Sequence, residues 1–465
     1  MAAAEETDRR SLLEKALGVV TDVREGEGRT ALLLALNIFL LLMAYYLIKP
    51  VREALILEIG DEGAQYKSYV NGAIAGGFLL AVPAYSALAS RVKRNRLVIS
   101  VTLFFASHLA AFYAASFFAA GTMAMGLGFY FWVGIFNMMV IAQAWAFTAD
   151  IYTDEQGKRL FPLVGVGASV GAAVGSLGAS QLAETLGTFQ MLLLAGGLLA
   201  ASAGLTQVIH VRESRADDDE DEDEEAGDEP EGETEKDKPS GAFALVLKNP
   251  YLRLLAAFSL VFTLVNTNGE YMISELVGQF AREVEAAGEL GEGVALRDYI
   301  AAWYGEFYLY VNIAGVVLQT FVVSRLIKYL GITPTFLILP VVALIDGGLI
   351  AAFPMLAILK WGKVAENSID YSVNNTVRNM LWLPTTREMK YKAKQAVDTF
   401  FVRLGDMGSA GVVFLLAGTF DLGVRWFGGL NVVLCLVWIG LALRIMAERK
   451  RLLEERGIEE EIPGK

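Results

Sequence analysis

Residues 31–57 read ALLLALNIFLLLMAYYLIKPVREALIL: eighteen residues from Ala31 to Ile48 carry no charge, then Lys49, Arg52 and Glu53 interrupt before the chain turns apolar again. A helix needs about 20 mostly apolar residues to cross a bilayer, so the first part reads as a membrane span. At the centre of such a helix Lys, Arg and Asp cost about 2.5 to 3.5 kcal/mol each, roughly 8 to 10 for three charges facing lipid. The Leu, Ile and Phe residues before them return only about 0.5 each, roughly 5 in all, so facing lipid is the losing arrangement. Two others remain. The span ends near Ile48 and the charges snorkel to the interface, or the helix continues through EALIL and they face a watery interior. Tyr45, Lys49, Arg52 and Glu53 fall at i, i+4, i+7 and i+8, on one helical face. Snorkelling has no need of a common face, whereas an interior site does.

The rest of the chain repeats this pattern. Of 465 residues 54% are hydrophobic and 20% charged, and the mean hydropathy is +0.44. Candidate spans are residues 30 to 55, 68 to 88, 97 to 119, 122 to 148, 160 to 181, 188 to 210, 252 to 276, 301 to 324, 332 to 353, 355 to 382, 397 to 420 and 427 to 448. The expected fold is an all-α membrane protein with twelve transmembrane helices in two six-helix bundles, residues 30–210 and 251–448. Residues 1–29 form an N-terminal segment, 211–250 a linker and 449–465 a tail. Between Ala216 and Ser240 stand fifteen Asp and Glu against Lys236 and Lys238, which alone accounts for the whole net charge of −13. Such a block has no apolar side chains to bury and reads as a disordered, solvated tether.

Basic residues set the orientation. Arg91, Lys93, Arg94, Arg96, Lys158, Arg159, Arg325, Lys328, Arg387, Lys390, Lys392, Lys394, Arg449, Lys450 and Arg451 all fall on one side of twelve spans. Opposite loops are short or acidic, as in REVEAAGELGEGVALRD. Both termini and the linker are therefore expected in the cytoplasm, and the protein in a cell's inner membrane. Residues 1 to 28 lack an apolar core of signal-peptide length, so a cleaved signal is not expected. One cysteine, Cys435, and two separated histidines, His108 and His210, supply no disulfide, thiolate cluster or histidine metal pair. His108 reads as a hydrogen-bonded packing residue. Gly157-Lys158 and Gly362-Lys363 lack the Ser or Thr of a phosphate-binding loop. No catalytic constellation, metal or cofactor is expected.

Further polar groups sit inside the spans. The seventh, from Leu252, places Asn266, Glu270 and Ser274 at i, i+4 and i+8, with Asn268 between. A cationic face opening one half and an acidic, amide-bearing face opening the other is what a central site between two repeats shows. The tenth span, LKWGKVAENSIDYSVNNTVRNMLW, carries Lys363, Asn367, Asp370, Asn374 and Arg378 along one stripe with Glu366 beside it. An ion-paired seam is one reading and a water-lined cavity the other; the number of polar groups favours the cavity. In the fifth span Gly167, Gly171 and Gly175 are four apart, a spacing that reads as close helix packing.

Two stretches resemble one family. YSVNNTVRNMLWLPTTREMKYKAKQAVDTFFVRLGDMGSAG (Tyr371 to Gly411) is similar, without gaps, to a pattern of the ATP/ADP translocases of plastids and intracellular bacteria, and EQGKRLFPLVGVGAS (Glu155 to Ser169) resembles a second. LIKPVREALIL looks like that family's first-helix motif, with Arg52 on its lysine and Glu53 on its aspartate, and Glu270 looks like its seventh-helix glutamate. Asp406 stands where the pattern has lysine. The resemblance implies a major facilitator-like architecture and exchange of ATP for ADP, or proton-linked nucleotide uptake.

The expectation is a secondary transporter that binds an anionic, nucleotide-like solute through Lys49, Arg52, Arg378 and Arg403, with Glu53, Asn266, Asn268, Glu270, Asp370 and Asn374 completing the site. Arg brings paired donors to phosphate or carboxylate. Its partners are a small-molecule substrate and the lipid bilayer, with no nucleic acid, and it acts as a monomer. Two rivals stand beside it. Asp406 favours a proton-coupled symporter of a smaller organic anion or metabolite. A non-transporting scaffold or sensor would use the acidic linker to recruit partners, but has no need of buried charges.

Overall fold

The computed structural model describes residues 11–18, 21–89, 94–220, 245–386, 389 and 393–455. Most of the acidic block, along with Arg91, Lys93, Arg387, Lys390 and Lys392, lies outside the described residues, as do the ends of the chain.

No strand occurs among the described residues. After a short helix at Leu12–Leu17 the chain runs through α1 (Gly28–Leu57), α2 (Gly63–Ala89), α3 (Arg94–Ala119), α4 (Met123–Ile151), α5 (Asp154–Leu186) and α6 (Thr188–Glu220). There follow α7 (Pro250–Ala286), α8 (Leu296–Leu330), α9 (Ile332–Ala352), α10 (356–380), α11 (Lys394–Thr419) and α12 (Val424–Glu455). Lipid offers backbone groups no partner, so helices, which satisfy their own, are the structure such apolar runs adopt. Among the described residues ten helices are long and apolar enough to cross a membrane. α2 and α10 are the other long ones. Lys360, Lys363, Glu366, Asp370 and Arg378 depress the hydropathy of α10.

Starts and stops follow local chemistry. Asn249 caps α7, its Oδ1 accepting from the Leu252 N–H, with Pro250 in the first turn. Thr153 and Gln156 form a capping box on α5, and Gly187, at φ 96°, ends it. π-helical turns interrupt α4, α8, α10 and α11; the one in α10 spans Asp370–Asn374.

The chain divides into two compact units. Unit 1 holds Met1–Leu55, Pro83–Gly232 and Glu292–Leu309, and unit 2 holds Ile56–Val82, Glu233–Gly291 and Tyr310–Lys465. In unit 1, α5 lies directly on α1. A Cβ at Gly167, Gly171 or Gly175 would strike the carbonyl oxygens of Ala35, Phe39 and Met43, one turn apart, so the glycine stripe is a close-packing face. Val166, Val170 and Val174 of the same helix are exposed, an apolar face suited to lipid. α3 packs against α6, and the Asn37 amide of α1 joins Ser202 and Thr206 of α6 in a buried hydrogen-bond set. Ahead of α1, the Glu27 carboxylate receives both terminal nitrogens of Arg159 at 2.7 and 2.9 Å, strapping the N-terminal segment to α5. In unit 2, α7 packs on α10, α11 and α12, and α9 on α12. Phe258, Phe336 and Trp438 centre its apolar core.

Candidate functional site

α1 is continuous through Leu57, with Pro50 inside it. That continuation is the one the second alternative requires, and Lys49 and Arg52 are half-buried and Glu53 fully buried in unit 1. Arg52 donates through Nε to Glu53 Oε1 at 3.1 Å, and its second contact to the same oxygen is shorter still. Its guanidinium lies 4.6 Å from the Tyr130 ring, and Lys49 Nζ lies 3.8 Å from the Tyr308 ring and 5.4 Å from Tyr46. Tyr45 stacks on Phe136 from the same face. Here a cation-bearing helix face meets tyrosines, whose ring faces attract a positive charge.

Unit 2 gathers a denser set. Lys363 Nζ, with no exposed surface, donates to Glu366 Oε2 and Asn266 Oδ1, each at 3.0 Å, and lies 3.9 Å from Glu270 Oε1. Gly269 makes room for it, since a Cβ there would meet Nζ at 2.9 Å. The other oxygen of Glu270 lies 3.9 Å from Lys67 Nζ, and Lys67 donates to Ser274 at 2.7 Å. Asn367 donates to Glu270 at 3.4 Å. Asp370 accepts from Asn374 at 2.7 Å within the π turn. Asn268 takes another course, bonding Asn431 of α12 at 3.2 Å and Ser409 of α11 at 2.8 Å. It ties three helices together.

Toward its C-terminal end α10 opens into a pocket of about 320 Å³ lined by Phe262, Asn375, Arg378, Asn379, Trp382, Lys394, Asp398 and Val402. All but Phe262 come from Tyr371 to Gly411. Arg378 pairs with Asp398 at 3.0 Å over the Phe262 ring, and Lys394 donates to Asn379 at 2.9 Å. The tenth span is thus ion-paired at Lys363 and Glu366 and lines a cavity at Arg378. Arg403 pairs with Asp406 at 3.2 Å over the Phe78 ring, and Asp406 also accepts from Thr267 at 3.0 Å. Asp406 thus neutralises the nearest cation.

A roomier cavity, about 930 Å³, lies in unit 1 and is lined by Glu25, Glu27 and Glu213 with Arg212 and Tyr152. Three carboxylates against one guanidinium make it the poorer host for an anion. His108 bonds the Phe104 carbonyl of its own helix at 2.7 Å.

Lys67, Lys363, Glu366, Lys394 and Asp398 are charged groups here that sequence reasoning left out of the expected binding set, as it did Asp346 of α9. Lys67 sits one residue ahead of the second span as read, and Asp346 is a lone acid in the apolar run LILPVVALIDGGLI. An isolated ionisable residue within a span is itself a signal.

Comparison with known proteins bears out the resemblance to ATP/ADP carriers. ADP,ATP carrier protein 1 of Chlamydia trachomatis serovar D is 20% identical over 342 residues, 66% of this chain and 62% of the relative. The chain thus spans less than two thirds of that relative's length. The plastidic ATP/ADP-transporter of Solanum tuberosum is 22% identical over 483 residues, covering 91% of this chain and 74% of its own. Among solved structures the nucleoside transporter NupG superposes with a TM-score of 0.57 at 13% identity, covering 89% of this chain and 98% of that one. A POT family transporter in complex with 5-aminolevulinic acid gives 0.55 at 11%, covering 91% and 96%. At such identities these two show the fold alone. The model of the Major Facilitator Superfamily matches residues 34–366, and with its multi-pass helical architecture the chain belongs to that superfamily of membrane transporters.

Proposed function

We propose that the protein is a secondary transporter of an anionic, nucleotide-like solute, such as ATP or ADP, working by alternating access. The observation that carries this reading is the pocket around Arg378 and Lys394, whose lining is drawn almost entirely from the stretch similar to ATP/ADP carriers. Two cations with amide neighbours suit phosphate oxygens, and Phe262 and Trp382 offer ring faces to a base. Its volume is at the lower end for a small-molecule site. In unit 1 Lys49 and Arg52 supply anion donors, oriented by Glu53 and the tyrosines around them. In unit 2 Asn266, Glu270, Asp370 and Asn374 contribute hydroxyl-binding and counter-charge groups, Asn268 holds the helices that carry them, and Arg403 acts only as far as Asp406 releases it. Ten candidate spans with α2 and α10 support twelve spans in two six-helix bundles, and the basic loops support cytoplasmic termini in an inner membrane.

The test is uptake of labelled ATP and ADP into proteoliposomes by the wild type, Arg52→Ala and Arg378→Ala. Loss of charge-assisted hydrogen bonds of about 1.5 to 3 kcal/mol lowers uptake at limiting substrate on the order of ten- to a hundredfold. Undiminished uptake by either variant removes that residue from the site. The Arg403–Asp406 pair favours a second reading, a symporter of a smaller organic anion that needs fewer cations. Competition by dicarboxylates but not nucleotides would select it.

A further inference from the structure

The cavity of about 930 Å³ in unit 1 takes no part in the transport reading. Three elements meet there: the segment ahead of α1 with Glu25 and Thr30, the end of α4 with Tyr152, and the last turns of α6 with Val208, Val211 and Arg212. α6 leads into it along an apolar stripe. Leu193, Gly197, Ala201, Gly204, Val208 and Val211, three or four residues apart, are all exposed on one helical face. From Leu193 to Val211 the helix rises about 27 Å, close to the roughly 30 Å of a bilayer's hydrocarbon core. Arg212 and Glu213, which follow the end of the stripe, therefore stand at the depth of lipid headgroups. A Cβ at Gly197 or Gly204 would meet nothing within 4 Å. These glycines and Ala201 keep the middle of the face low between Leu193 and Val208, a relief that an acyl chain can follow.

The polar end of the stripe carries both signs of charge. Thr30 Oγ1 donates to Glu213 Oε1 at 2.7 Å and accepts from Arg212 Nε at 3.3 Å. A carboxylate and a guanidinium, both part-exposed, are thus fixed 3.8 Å apart on the cavity wall. Glu25 adds an exposed carboxylate, whereas the carboxylate of Glu27 is taken up by Arg159. The buried Tyr152 hydroxyl has no hydrogen-bond partner among the described residues. A free phosphate would gain Arg212 and face the carboxylates, and a simple cation would make no use of the stripe. A molecule with a phosphate, an N–H-bearing ammonium and apolar tails satisfies all three features.

We propose that this cavity holds the headgroup of a phospholipid bearing a primary ammonium, of the phosphatidylethanolamine class, with its acyl chains lying on the α6 stripe. The ammonium donates to Glu25 and Glu213, and the phosphate accepts from Arg212 and the Tyr152 hydroxyl. A choline headgroup has no N–H to give the carboxylates, and a glycerol headgroup leaves the lipid's negative charge beside them uncompensated. The bound lipid ties the segment ahead of α1 to the end of α6, and none of its contacts belongs to the expected substrate set.

Native mass spectrometry of the delipidated protein in detergent tests this with no nucleotide present. The protein is titrated in parallel with phosphatidylethanolamine, phosphatidylcholine and phosphatidylglycerol of identical acyl chains. The wild type is expected to hold the ethanolamine lipid about tenfold more tightly than the other two, the effect of charge-assisted hydrogen bonds. Equal binding of all three, or preference for either of the others, overturns the proposal. Glu25→Gln with Glu213→Gln is expected to bring the ethanolamine lipid down to the choline level; a preference that survives overturns the headgroup assignment. If that double variant does not fold, Gly204→Phe reads the tails instead, since its side chain starts in open space. It is expected to weaken binding of every phospholipid severalfold, and ethanolamine-lipid binding at the wild-type level overturns the proposal.

Discussion

Lys363 carries its charge with no exposed surface, and its position rests on three oxygens from two helices. Removing one member of a buried ion pair strands the other, at about 3 to 5 kcal/mol, whereas removing both is often neutral. Lys363→Met is therefore expected to lower the thermal unfolding temperature in detergent sharply, and Lys363→Met with Glu366→Leu to recover most of the loss. Additive losses would show that the pair is not the stabilising unit. Arg403 offers the opposite case, an anion donor held by Asp406. Asp406→Asn frees the guanidinium, and ATP binding is expected to tighten severalfold by scintillation proximity; unchanged affinity places Arg403 outside the substrate site. These residues differ in how visible they are in the sequence. Lys49 and Arg52 announce themselves because a charge beside an apolar run has few places to go. Lys67 does not, since the start of its helix is blurred by polar Gln65, Tyr66 and Ser68. Asn268 looks like a site residue only because it lies between Asn266 and Glu270; its commitment to Asn431 and Ser409 comes from helices far off in sequence.

Among the elements, α5 shows how much a spacing can say. Its three glycines, four apart, predict close packing, and the carbonyls of α1 fill the space that side chains would need. Gly171→Val is expected to cost about 1 to 3 kcal/mol through overpacking and to lower the yield of folded protein. Gly165→Ala on the same helix meets nothing within 4 Å and is expected to be silent. Equal behaviour of the two in a size-exclusion assay would refute the packing role. The strap ahead of α1 gives a pH dependence. Burial works to raise the Glu27 pKa, but the hydrogen bonds from Arg159 and the Arg24 N–H outweigh it and hold the carboxyl below its usual value. A depressed folded-state pKa stabilises above the unfolded value and is lost as pH falls through the folded one. Protection of the N-terminal segment from proteolysis is therefore expected to weaken on acidification below the ordinary carboxylate range in the wild type. Glu27→Gln is expected to lack that step. The common face of Tyr45, Lys49, Arg52 and Glu53 foretells that α1 continues past Ile48. That α6 runs to Glu220, beyond residue 210, is less visible, because Asp and Glu suit a helix and a tether alike.

For the whole molecule, the distribution of charge sets what a topology experiment should find. Lys328 ends α8 beside Arg325, on the side where basic residues collect, whereas Glu289 lies in the acidic stretch between α7 and α8. Translocation disfavours basic loops, so these two positions are expected on opposite faces of the membrane. The chain has one cysteine, Cys435, and it is fully buried in the apolar core of unit 2. Cys435→Ser provides a background in which each added thiol is the sole reporter. Glu289 and Lys328 are both exposed, so neither change disturbs packing. In intact cells Glu289→Cys is expected to react with a membrane-impermeant maleimide, and Lys328→Cys only after permeabilisation. The reverse pattern would turn the protein over and place the acidic block outside the cell. Labelling of both from one side would remove the even number of spans between the termini. On the proposed reading of residues 216–240 as a solvated tether, replacing their fifteen Asp and Glu by Ser and Asn is expected to leave nucleotide uptake unchanged. Loss of uptake would instead give that segment a working part in the transport cycle.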